Sequence, residues 1–171
     1  MSTPTSQSLP SASITAANTL TTLLATSPPS NTTTSSSTLT TDLAFLATRL
    51  QQFSQHYHQL VEWIDTAPIQ SPTLKDQLDK TVPGIEQAVE RIVSEVGALK
   101  AIGGVDGGVV KAWIGDLAGL SRGVIFGTQI LSVDGAEEQE TRLDHDEARE
   151  LFAEARNSTG RVLGGAGLVL N

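Results

Sequence analysis

An all-α, antiparallel bundle of four to five helices with a disordered N-terminal tail is the fold class predicted by three features of this 171-residue sequence. Apolar residues recur at steps of three and four over most of the chain. No stretch sustains the period-two alternation of a strand. The first 41 residues hold 23 Ser or Thr, four of the seven prolines and no charged side chain, the first being Asp42. A segment of that composition buries too little apolar surface to offset its ordering entropy. The expected division is therefore a Ser/Thr-rich tail over 1–41 and a helical domain over 42–171.

Within the tail, Ile14, Ala17, Leu20, Leu23 and Leu24 fit one face of a short helix that Pro28-Pro29 would stop. Such a helix is too short to stand alone and needs a surface to dock on. The tail lacks the basic start and unbroken apolar run of a secretory signal, and the arginines of a transit peptide. A cytoplasmic location is the expectation.

The first strong helix is predicted over about 41–66, from Leu43, Leu46, Leu50, Phe53, Tyr57, Leu60 and Ile64, with Pro68 beyond its end. The next carries Leu74, Leu78, Val82, Ile85, Val89, Ile92, Val96 and Leu99. Pro83-Gly84 falls inside it and predicts a kink or break, with the stronger part over about 83–101. Gly103-Gly104 and Gly107-Gly108 mark a loop. A third helix over about 109–133 has Val110, Trp113, Leu117, Leu120, Val124 and Leu131 on one stripe. The fourth opens with a capping box: Asp144 caps, Glu147 reaches back and Leu143 staples onto Ala148. Ala148, Leu151, Phe152, Ala155, Thr159 and Val162 continue its inner face. The uncharged end from Val162 to Leu170 reads as a frayed end or a strap docked on the core.

Composition excludes more than it identifies. With no cysteine there is no disulfide, thiolate metal site or cysteine nucleophile. A net charge of −8 and 4% aromatics argue against gripping phosphates or stacking bases, so no nucleic-acid partner is expected. His56 and His58 stand two apart on a helix and point away from each other, where a ligand pair wants a spacing of four. His145 sits among Asp144, Asp146 and Glu147, which the capping box already explains. The glycines at 103–108 lack the Gly-Lys-Ser/Thr ending of a phosphate loop, and no serine lies in a Gly-x-Ser-x-Gly elbow. No cofactor, metal or catalytic residue is assigned.

Two features remain as candidate sites. Gly115, Gly119, Gly123 and Gly127 recur every four residues in the third helix, where four glycines cost on the order of 3–4 kcal/mol relative to alanine. Close packing would return that energy, and Ile114, Ile125, Phe126 and Ile130 off the main stripe place this helix at the centre of the bundle. The same stripe also suits an oligomerisation contact or a glycine zipper. Residues 112–131 are long enough to span a bilayer, but Asp116 and Arg122 oppose constitutive insertion. The second feature is the acidic stretch 134–150, whose Glu137, Glu138 and Glu140 form a candidate docking surface for a basic partner.

The stretch Ser121 to Gly164 resembles the HeLo-like N-terminal helical domain of fungal STAND (NLR-like) proteins. The likeness lies in a long helix, Glu138-Gln139-Glu140 in a linker, then Glu147-Ala148-Arg149 and Leu151-Phe152 opening the last helix, with Ser158-Thr159 near its end. The resemblance covers about residues 42–164 and rests on helix-packing patterns. It implies a non-enzymatic all-α signalling or adaptor domain acting by protein–protein interaction or self-association. Some relatives are membrane-active cell-death effectors, which makes membrane contact after activation the alternative. This chain departs from them by opening on a Ser/Thr-rich segment. Small fungal hydrophobic-surface-binding proteins, also Ser/Thr/Ala-rich and helical, are a weaker likeness.

Overall fold

The computed structural model describes residues 5–26, 34–66, 72–100, 104–134 and 145–169. They form five α-helices: α1 (Thr5–Thr26), α2 (Thr34–Thr66), α3 (Pro72–Gly97), α4 (Gly107–Asp134) and α5 (His145–Gly164). No strand occurs among the described residues beyond an isolated bridge between Val105 and Val169. The predicted all-α bundle is thus the observed class.

The helices stand in a ring, in the order α1, α2, α4, α5, α3 and back to α1, with a lighter contact of α3 on α4 across it. Chain direction alternates from each helix to the next. The Ser54 hydroxyl on α2 donates to the Pro10 carbonyl of α1 at 2.9 Å. The short connection from Thr26 to Thr34 can close only if those two helices run antiparallel. Gly119, Gly123 and Gly127 meet Ser158, Ala155 and Phe152 in reverse order, so α4 and α5 are antiparallel too. Leu39 faces Gly107 and Leu60 faces Gly127 at nearly the same offset, so ring neighbours α2 and α4 run parallel.

The predicted apolar stripes form one core. Leu43, Leu46, Leu50, Phe53, Tyr57 and Leu60 of α2 are buried, with Phe53 and Tyr57 rings stacked at a centroid distance of 5.5 Å. Leu78, Ile85, Val89, Ile92 and Val96 of α3, Val110, Trp113, Leu117, Leu120 and Val124 of α4, and Phe152, Ala155 and Val162 of α5 join them. Leu74, Leu131, Leu143, Ala148 and Leu151 have side chains outside the described residues, as do the Asp144 and Glu147 of the expected capping box.

Four expectations are corrected. The boundary drawn after residue 41 falls inside α2, which begins at Thr34. The helix in the preceding segment is longer than Ile14 to Leu24 and belongs to the bundle: Leu9, Ala16, Ala17 and Leu20 of α1 are buried in the common core, whereas Ile14 is 45% exposed. The dock that this weak helix needed is supplied by α2 and α3. Residues 1–4 and 27–33 of the expected tail lie outside those described. Second, α3 runs through Pro83 without a break and ends at Gly97. Leu78, Thr81, Ile85 and Ala88, buried on both sides of the proline, fix the axis where the missing N–H would let it part. Third, α4 is a ring member and not a central helix, with Phe126 37% exposed and Ile114 and Ile125 half-buried. Fourth, α4 starts at Gly107 because Asp106 caps it: its Oδ1 accepts from the Gly108 N–H at 2.9 Å and, at a longer 3.4 Å, from Val109.

The C-terminal end is a docked strap. Leu168 is fully buried, its carbonyl accepts from the Asp106 N–H at 2.8 Å, and its own N–H donates to Glu95 Oε1 at 3.1 Å. The Arg91 guanidinium donates to the carbonyls of Val162 and Gly165 at the end of α5.

Candidate functional site

The glycine stripe of α4 divides on folding. A Cβ on Gly123 would lie 2.6 Å from the Ala155 Cβ, closer than two carbons can approach. One on Gly119 would overlap the Ser158 hydroxyl and stand 3.4 Å from its Cβ. Gly127 packs beneath Leu60 and Leu78, at 3.2 and 3.4 Å from where its Cβ would be. Gly115 has nothing within 4 Å and faces solvent. Small residues on both helices, Gly119 and Gly123 against Ser158 and Ala155, let the two backbones approach closely. That contact is internal to the molecule.

Ion pairs flank it. Asp116, whose side chain is 8% exposed, accepts from Arg161 Nε at 2.8 Å, and the same guanidinium donates to Ser158 Oγ at 3.1 Å. One and a half turns along α4, Arg122 pairs with Glu154 at 2.7 Å. Asp116 and Arg122, which opposed membrane insertion of residues 112–131, are the groups that fasten α4 to α5. Among the described residues no helix is long and apolar enough to cross a membrane.

Other buried polar groups tie helix to helix in the same way. The Tyr57 hydroxyl donates to Glu86, reaching from α2 to α3. Burial, and next the Glu86 carboxylate that accepts its proton, hold the phenol far above its ordinary range. Arg156 donates to Gln77 Oε1 at 3.0 Å, joining α5 to α3. Among the described residues no group of three or more acidic or histidine side chains is placed to hold a metal ion. His58 instead faces Glu62 at 3.7 Å, exposed on α2.

Glu137, Glu138 and Glu140 lie outside the described residues. An exposed aromatic pair is the feature that sequence reasoning missed. Phe45 is 55% and Trp63 37% exposed, both on α2. Their separation of eighteen residues is five turns, so they share one outward face. The strong inward stripe masks them, yet a signal was available: neither falls on the Leu43-to-Ile64 register.

The fold and this site define a five-helix bundle whose polar residues mainly fasten helices together and whose outer α2 face carries aromatics. No protein family, no curated protein and no solved structure matches the chain.

Proposed function

We propose that the chain is a non-enzymatic helical signalling or adaptor module that acts by protein–protein contact, in the first instance with copies of itself. The observation that carries this reading is the aromatic pair Phe45 and Trp63 on one outward face of α2. Large aromatics are scarce here, at one Tyr, two Trp and four Phe, and leaving Phe45 and Trp63 outward on one helix, as Phe126 is on α4, forgoes burial. Aromatic side chains are the preferred anchors of protein interfaces, where they bury much area with few rotatable bonds. The resemblance of residues 121–164 to the HeLo-like domain supports the signalling sense of the reading. The membrane-active alternative drew on the glycine stripe, and two of those glycines are engaged within the α4–α5 contact.

Sedimentation of the full chain over a concentration series tests the proposal, beside the double variant Phe45→Ser, Trp63→Ser. The native chain is expected to self-associate and the variant, equally helical by circular dichroism, to remain a monomer. A native chain that stays monomeric, and captures nothing from an extract that the variant fails to capture, would sink the reading.

A further inference from the structure

We infer that α1 is a lid, an element that undocks from the bundle while the other four helices stay folded, exposing the surfaces of α2 and α3 that it covers. The inference does not depend on the adaptor reading. It starts from the ring order: α1 touches α2 and α3, whose backbones do not otherwise meet among the described residues and which are joined only by side chains such as Tyr57 and Glu86. α1 therefore covers the gap between those two backbones, while α2, α4, α5 and α3 touch one another in series without it.

Its attachment to α2 is extensive but carries no ionic tie. α1 has no charged side chain, so no side-chain ion pair ties it down. The α4–α5 seam has Asp116–Arg161 and Arg122–Glu154, and the α3–α5 seam has Arg91 on two carbonyls and Arg156 on Gln77. The buried apolar residues of α1 are Leu9, Leu20 and two alanines, against five large aliphatic and aromatic side chains on α4. The Ser13 hydroxyl is fully buried without a hydrogen-bond partner, which costs stability in the docked state alone. Intrinsic propensity is poor as well. Pro10 removes a backbone hydrogen bond from the helix interior, and threonines recur through the C-terminal half of the helix. Once undocked, α1 would not remain a helix, so its release gains chain entropy. Elements whose buried side chains are few and small open locally at a fraction of the global free energy.

The absence of cysteine allows a direct test with single thiols in the full chain. Ser54→Cys places a thiol on α2 where the hydroxyl now donates to the Pro10 carbonyl, at 3% exposure. Val124→Cys places one at a fully buried position that had a larger side chain, on α4, which α1 does not touch. Each is labelled by a maleimide without denaturant and in low urea, and each rate is compared with the same variant's global unfolding rate. The Ser54→Cys thiol is expected to label at least about tenfold faster than global unfolding allows, with a urea dependence smaller than that of global unfolding, and the Val124→Cys thiol only through global unfolding. Ala17→Cys on α1 itself should label like Ser54→Cys. Labelling of all three at their global unfolding rates, with the same urea dependence, would overturn the lid.

Discussion

Gly115, Gly119 and Gly123 are the same residue at the same spacing on one helix, and the structure gives them opposite consequences. At Gly115 an added methyl meets nothing within 4 Å, so Gly115→Ala should raise stability by the propensity difference, about 0.8–1 kcal/mol. At Gly123 the methyl would strike the Ala155 Cβ at 2.6 Å, a group with no rotamer to yield. Overpacking of that kind costs about 1–3 kcal/mol and exceeds the propensity gain, so Gly123→Ala should destabilise. Urea titration of the two variants settles it: a gain at both positions would show that close approach of α4 and α5 is not what Gly123 supplies. The spacing of the glycines was legible in the sequence. Which of them face a neighbour was not, because a step of four residues drifts around a helix and the direction of α5 is a tertiary fact.

The elements themselves were largely written in the periodicity. α2, α4 and α5 lie within a few residues of the expected bounds at the ends their apolar stripes define, and α2 extends further at its start because Thr34 to Thr41 carry no charge and a single apolar residue, Leu39, to mark it. α1 and Pro83 departed from expectation for related reasons. Composition describes what a segment does alone, and α1 is helical because α2 and α3 offer it an apolar surface. At Pro83, local chemistry predicted a kink or a break, and the break does not occur because buried residues on both sides hold α3 as one helix. Pro83 is exposed, so Pro83→Ala should restore a backbone hydrogen bond without disturbing the core, adding about 1–3 kcal/mol. A rise in the thermal midpoint checks this; no change would mean the helix has already adapted to the proline.

At the scale of the whole molecule, Tyr57 reports on the closed bundle, because it is the chain's only tyrosine. Its pKa in the folded state is raised by burial first and by the Glu86 hydrogen bond and charge next. A raised folded value means the proton is held more tightly when folded than unfolded. The resulting stability is fully present below the unfolded value of about 10 and is lost progressively as pH climbs above it. Tyrosinate absorbance should therefore appear only together with loss of helix, well above pH 10, as one cooperative step. Ionisation near the free phenol's value with the helix content intact would mean that Tyr57 is not sealed from water. The sequence by itself determined the helical class and the inward stripes, because hydrophobic period and residue chemistry are local properties. Only the tertiary structure decided that α1 belongs to the bundle, that α4 sits in a ring, and that Gly119 and Gly123 but not Gly115 bring two helices together. Those outcomes depend on which surfaces meet, and one helix carries no record of the direction or distance of its neighbours.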